Sequence, residues 1–337
     1  MKTGRHNALT DVEGIHVGHF TDLKAASGVT VAICQAGAVA GVDVRGSAPG
    51  TRETDLLDPV NLVEKAHAVV LSGGSVYGLA AADGVVHWLG QKGIGFPLDK
   101  DQVAPIVPAA VLYDLGRGQA FIPPVSAEWG RLACEAATSG PVAMGSVGAG
   151  TGAVSEALKG GLGTASAVLG CGLTVAAIVA VNSYGSVINP ATGQPWEIGI
   201  EVDCEFGEQG RRAVRLPPPP PGFPARNTTI GLVATDAELT KAQAAKIAQM
   251  AHDGMARAIR PAHTMFDGDT LFCLATGIRP LPVNEGVFAA PQAQMVSELG
   301  HAAANCMARA IVHGVLSAQG TSRQVSFREL EDAARGS

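Results

Sequence analysis

Residues 217–238 read PPPPPGFPARNTTIGLVATDAE, and three physical regimes meet within them. Five consecutive prolines, Pro217 to Pro221, favour an extended polyproline II segment and cannot join a sheet interior. They lie in a charged, patternless stretch from Asp203 to Asn227, which predicts an exposed linker of about 25 residues, long enough to call for a functional reason. Thr228 to Ala234 then reads as a buried strand of β-branched and apolar residues. Thr235-Asp236-Ala237-Glu238 has the pattern of a helix capping box. Behind it Ile247, Met250, Ala251, Gly254 and Ala258 recur at three- and four-residue spacing, the mark of one helix face.

The junction Asn227-Thr228-Thr229 carries chemistry. It can be read as a plain strand start, or as a glycosylation sequon that matters only in a secreted protein. It also has the form from which an N-terminal nucleophile is released. In that reading the Thr228 hydroxyl attacks the carbonyl of Asn227, an ester forms by an N-to-O acyl shift, and water cleaves it. The freed α-amine, with a reference pKa of about 7.7–8.0, then serves as base for its own hydroxyl. Such a mechanism needs no histidine, and the nine histidines form no triad along the chain. Two further features fit it. Asp267-Gly268-Asp269 places two carboxylates just before the predicted strand Thr270–Ala275, where a solvated turn would look the same. Asn182 ends the apolar run Leu173–Asn182, where its amide is either a satisfied strand end or a donor to an oxyanion.

Upstream, Ile15–Phe20, Val29–Gln35 and Ala38–Val44 read as short strands separated by glycine-containing turns. A helix is predicted over Asp55–Ala66, a strand over Ala68–Leu71, and a helix over Val76–Leu89 after Ser72-Gly73-Gly74-Ser75. Val103–Leu112 reads as a strand and Ala127–Thr138 as a helix. A glycine-rich passage, Gly145–Gly152, precedes the apolar strands Gly163–Leu169 and Leu173–Asn182 and a hairpin turning at Asn189–Gly193. The last long helix spans Gln292–Ser317, with Met295, Leu299, Cys306, Ala310, Ile311 and Val315 on its apolar face. The pattern is a mixed α/β chain of helices over sheets, without strict βαβ alternation.

Composition excludes other classes. With 47% hydrophobic residues in a 337-residue chain, disorder is ruled out and a real core is available. A net charge of −6 lacks the basic footprint of a nucleic-acid binder. The longest apolar stretch, Leu173–Val181, is far short of the roughly 20 residues of a membrane helix. No secretory signal is visible in Met1–Asp11, and the six scattered cysteines read as small buried hydrophobes without disulfide or zinc pattern. A cytoplasmic protein without metal or organic cofactor is the expectation. Gly148–Ala153 fits a loose dinucleotide pattern, but the acidic residue expected about 20 positions on is missing. Ser75 misses nucleophile-elbow spacing by one residue, and His16 and His19 lack acidic partners for a metal.

Taken together, these motifs resemble the DmpA-type family of autoprocessing aminopeptidases. That family includes D-aminopeptidase/esterases, β-peptidyl aminopeptidases and 6-aminohexanoate-oligomer (nylon oligomer) hydrolases. The resemblance runs from Leu9–His19 through Leu71–Gly78, Val147–Gly152 and Asn227–Ile230 to His263–Thr270. It implies a four-layer αββα sandwich like the N-terminal-nucleophile hydrolases, forming one domain over residues 1–337. Cleavage between Asn227 and Thr228 would give an α chain of residues 1–227 and a β chain of 228–337, assembled as homotetramers. It implies Thr228 as nucleophile and base, Asn182 as oxyanion donor and Tyr77 beside the nucleophile or substrate amine. Asp267 and Asp269 would orient the Thr228 amine and hydroxyl, offering a counter-charge to the free amino end of a small peptide or amide substrate. Threonine with Asp-x-Asp, where serine-type members have Ser-x-Glu, is similar to the nylon-oligomer branch. That branch has a lysine shortly after the glycine loop, and Lys159 lies slightly displaced from that place. Nylon-oligomer hydrolysis, acyl transfer of the ornithine acetyltransferase type and a non-catalytic binding protein are the competing readings.

Overall fold

A computed structural model describes residues 1–208, 210–218, 227–282 and 292–335. Nine strands form the main hydrogen-bonded system: β1 His16–Asp22, β2 Ser27–Val44, β3 Gly50–Arg52, β4 Lys65–Ser72, β5 Ala109–Val111, β6 Leu162–Val168, β7 Thr174–Ala180, β8 Ile230–Ala237 and β9 Thr270–Arg279. Their order is β6-β7-β8-β9-β2-β4-β5-β3, with β1 paired to β2. The β8–β9 and β4–β5 pairs are parallel and the others antiparallel. Four helices flank the strands: α1 Ala81–Gln91, α2 Ala127–Glu135, α3 Lys241–Ala258 and α4 Ala293–Leu316.

Strand β2 turns this path into a sandwich. Its first part pairs with β1 and β4, its last part with β9, with a register shift between Ile33 and Ala38. Side chains alternate across a strand, so Ala32, Cys34, Ala38 and Ala40 all face one inner core while the strand passes from one sheet to the other. That inner core joins Leu71 and Ala110 of the first sheet to Ile178, Leu232, Phe272 and Leu274 of the second. The opposite face of the first sheet, with Val29, Val31 and Val70, packs on Val85 and Leu89 of α1 and Trp129 of α2. The opposite face of the second sheet, with Ala177, Val179, Val233 and Cys273, packs on Ile247, Ala251 and Met255 of α3 and on Cys306 and Ile311 of α4. Three apolar interfaces between four layers make the αββα sandwich. Small residues let the layers approach: a Cβ at Gly254 on α3 would lie 2.0 Å from the carbonyl oxygen of Ala304 on α4.

Several local expectations are corrected. The two strands read over 29–44 are one, with Gly37 (φ 71°) at the irregularity. Asp55–Ala66 is not a helix: only Asp55–Leu57 makes a 3₁₀ turn, and β4 already begins at Lys65. Val76–Leu89 is a 3₁₀ turn, Ser75–Ala80, followed by α1, and Val103–Leu112 is two short strands. Thr235 and Asp236 belong to β8; the capping box of α3 is Thr240 with Gln243, whose groups exchange hydrogen bonds of 2.9 and 3.2 Å. Cys171 and Cys204 are exposed, while Cys34, Cys134, Cys273 and Cys306 are buried as expected.

The stretch read as an exposed linker is partly docked. Phe206 and Val214 are buried in the α3–α4 core, and Glu205 pairs with Arg309 and His313 of α4. Residues 209 and 219–226 of that stretch lie outside the described residues. Among the described residues no helix is long and apolar enough to cross a membrane.

Candidate active site

Strand register assembles the site. β7 and β8 are antiparallel with Ala180 opposite Ile230, so Asn182 falls beside Thr228, and the Thr228 N–H donates to the Asn182 carbonyl at 2.7 Å. β8 and β9 are parallel with Ile230 beside Thr270, so Asn227 pairs with Asp267. β9 and β2 are antiparallel with Thr270 opposite Val44, which brings the backbone after β2 to the same corner. There the N–H groups of Arg45 and Gly46 donate to the Asp269 carbonyl and that of Ala48 to the Asp267 carbonyl.

Thr228 is buried at this corner. Its hydroxyl donates to the Asn227 carbonyl at 2.6 Å and accepts the Gly268 N–H at 3.2 Å. Among the described residues these are its hydrogen bonds. Among the described residues no imidazole, carboxylate or amine is paired with it. The Asn227 side chain is buried, and both of its polar atoms lack partners among the described residues.

Asp267 and Asp269 are buried and not a solvated turn. Asp267 Oδ2 accepts the N–H and hydroxyl of Thr264 at 2.8 and 2.6 Å, and Oδ1 accepts the Tyr184 N–H at 3.4 Å. Burial, then the neighbouring Asp269 charge, pushes the Asp267 carboxyl above its ordinary pKa. Asp269 Oδ1 accepts the Thr229 N–H at 2.8 Å, and Oδ2 contacts the backbone N–H and ring Nδ1 of His263 at 3.1 and 2.8 Å. Each carboxylate oxygen therefore already holds a partner from the protein.

Asn182 is fully buried. Its Oδ1 accepts from Arg117 Nη1 and from the Val154 N–H at 3.1 Å, which leaves Nδ2 facing the Tyr113 carbonyl at 3.2 Å. The amide is thus oriented with its donors away from Arg117. Behind it lies a buried charge cluster. The Lys159 ammonium donates to the carbonyls of Gly150, Ala153 and Gly160 at 3.2, 2.8 and 2.7 Å, and its pKa is lowered to about 7 by burial and then by the Arg117 charge. Burial lowers Arg117 to about 10 and pushes Asp114 up; Asp114 accepts the Gly74 N–H at 2.6 Å. The glycine passage supplies this cluster with the carbonyls of Gly150 and Gly152, and the N–H groups of Gly148 and Ala149 donate to the hydroxyls of Thr21 and Thr30.

A cavity of about 420 Å³ opens over the corner, lined by Ala48, Gly50, Ser75, Val76, Tyr113 and Thr228 among others. Tyr113 lines it, whereas Tyr77 stands on the exposed turn and is not among the lining residues. Ser75 lines it too, with φ 53°. His16 and His19 lie on β1; His19 Nδ1 meets Thr30 Oγ1 at 3.0 Å, and burial lowers its pKa to about 4. Among the described residues no group of three or more His, Cys, Asp or Glu is placed to hold a metal ion. Sequence reading missed Tyr113, Asp114, Arg117 and His263. The first three sit in a loop with no motif spacing, and His263 was quoted only as part of a longer run.

Known proteins resemble the chain along its length. The family model described as Peptidase family S58 matches residues 7–326. An uncharacterized aminopeptidase of Mycobacterium tuberculosis is 48% identical, over 98% of this chain and all of the relative. A 6-aminohexanoate-oligomer endohydrolase of Kocuria sp. is 32% identical, over 84% of this chain and 79% of the relative. The solved L-aminopeptidase D-Ala-esterase/amidase of Ochrobactrum anthropi, described as a variant of the Ntn hydrolase fold, superposes with a TM-score of 0.73 at 23% identity, covering 99% of this chain and 95% of that one.

Proposed function

Because the chain belongs to peptidase family S58, we propose that it is an autoprocessing amidohydrolase of the aminopeptidase type with Thr228 as its nucleophile. The observation that carries this reading is the Thr228 hydroxyl held 2.6 Å from the oxygen of the peptide bond it follows, at the foot of a cavity. In the first step Oγ adds to the Asn227 carbonyl carbon and the C–N bond breaks, leaving an ester and a free Thr228 amine. Water then hydrolyses the ester, releasing the Asn227 carboxylate. In turnover the amine takes the hydroxyl proton as Oγ adds to a substrate amide. It returns that proton to the leaving amine, and water hydrolyses the acyl-enzyme. Asn182 Nδ2, oriented by Arg117 and the Val154 N–H, keeps a second N–H beside the one that faces the Tyr113 carbonyl and is the donor for the oxyanion.

The substrates are short peptides or amino-acid amides. A second reading, hydrolysis within an oligomer, is favoured by the likeness to the 6-aminohexanoate-oligomer endohydrolase, 32% identical over 84% of this chain. Assay of amino-acid p-nitroanilides, free and N-acetylated, against 6-aminohexanoate oligomers separates the two. N-terminal sequencing of the smaller fragment tests the common premise: a sequence starting Thr-Thr-Ile-Gly is expected. An intact active chain would refute it. Light scattering of the same preparation tests the tetramer of αβ units, with four copies of each fragment per particle expected.

A further inference from the structure

The run His263-Thr264-Met265-Phe266-Asp267-Gly268-Asp269 brings a histidine onto one of its own carboxylates. We infer that His263 is a positioning residue, which holds the Asp269 carboxylate in the orientation that the Thr228 nucleophile requires. This rests on the reading of Thr228 as nucleophile.

Asp269 is gripped at both ends. Backbone N–H and ring Nδ1 of His263 converge on Oδ2 at 3.1 and 2.8 Å, and Oδ1 is turned to the N–H of Thr229, the residue after the nucleophile. Rotation of the carboxylate would break all three contacts. The backbone of His263 has φ 56°, a left-handed conformation uncommon for a residue other than glycine, and it is this turn that places both donors on one oxygen. The imidazole is fixed from behind by His252 of α3, whose ring meets it edge-on with centroids 4.9 Å apart. His252 is fully buried, kept neutral because burial lowers its pKa to about 4, and its Nε2 meets the Asp43 carbonyl at 3.0 Å. The ionisable groups around the pair are His252, Asp43, Arg45 and Asp267. His263 Nε2 is buried without a partner among the described residues.

The test compares His263→Ala and His263→Asn with the wild type and with Thr228→Ala. Each is assayed for self-cleavage and for kcat and KM on one p-nitroanilide. His263→Ala is expected to lower kcat roughly 10–100-fold, with KM changed less than about threefold. Asparagine tolerates positive φ, and its side-chain amide donates from about the place of Nδ1. His263→Asn is therefore expected to recover most of kcat. Wild-type kcat in His263→Ala would overturn the inference. So would equal losses of kcat in both variants, which a purely structural role predicts. An inactive wild type, or an active Thr228→Ala, would instead overturn the reading on which this one rests.

Discussion

The hydroxyl of Thr228 donates to the carbonyl oxygen of Asn227 at 2.6 Å, so the nucleophile of the proposed reaction and the bond proposed to be cut are neighbours before any substrate binds. The active preparation is accordingly expected to run as two fragments, residues 1–227 and 228–337, in place of the 34.2 kDa chain. Thr228→Ala should stay whole and inactive on denaturing electrophoresis, while Thr228→Ser, which keeps a hydroxyl, should process and turn over at a reduced rate.

Gly268 donates its N–H to Thr228 Oγ1, and a Cβ there would lie 2.9 Å from that oxygen and 2.5 Å from the carbonyl of Ala48. Neither neighbour can give way without moving the Thr228 hydroxyl or the loop beside it. Gly268→Ala is expected to lower kcat on the order of 100-fold, as misplacement of about 1 Å does. A variant with unchanged kcat would show that this backbone contact is incidental.

Glu205 ties the segment before the proposed cleavage junction to the part of the chain after it. Burial alone would raise its pKa, but hydrogen bonds from His313 and Arg309 outweigh this and bring it down to about 2. A depressed carboxyl stabilises the folded state above its ordinary pKa, and that contribution fades as pH falls toward 2. Glu205→Gln should lose about 3 kcal/mol in urea unfolding at pH 7, the cost of leaving a buried charge unpaired. The gap to wild type should narrow on acidification below about pH 4. A gap independent of pH would assign the loss to packing instead of charge.

Lys159 is lowered to about 7 by burial and by the Arg117 charge. Between that value and the ordinary lysine pKa near about 10.4, the unfolded chain holds a proton that the folded chain has released. Folding stability should therefore rise with pH across this window in the wild type. Lys159→Met should flatten the slope, and should also weaken the glycine loop by leaving the carbonyls of Gly150, Ala153 and Gly160 without their shared donor. Unfolding midpoints at pH 7 and 9.5 measure both effects; equal slopes would place the titration elsewhere.

Local reading succeeded where burial is continuous. β6, β7, β8 and the first six residues of β9 are dominated by small and branched apolar residues buried between layers, and that local signal survives folding. It failed where the apolar signal has no face to bury. Val60 and Leu62, inside the predicted helix over Asp55–Ala66, are 87% and 84% exposed, and Pro59 stands in the middle of that stretch. Thr235 and Asp236 imitate a cap, but the Asp236 carboxylate is used across the sheet, accepting the Thr174 N–H and pairing with Arg279.

The sequence by itself determined the family, the layered α/β architecture and the group of residues around Thr228. Each is written in unbroken local runs whose hydrophobic period or motif order needs no partner to be read. Only the tertiary structure decided that one strand, β2, serves both sheets, and that Tyr113 rather than Tyr77 lines the cavity. It also decided that Arg117 orients Asn182 and that the oxygens of both site carboxylates are already held. These facts depend on strand register and on loops brought together from distant parts of the chain. A hydrogen bond between residues 65 positions apart, such as Arg117 to Asn182, has no period to announce it.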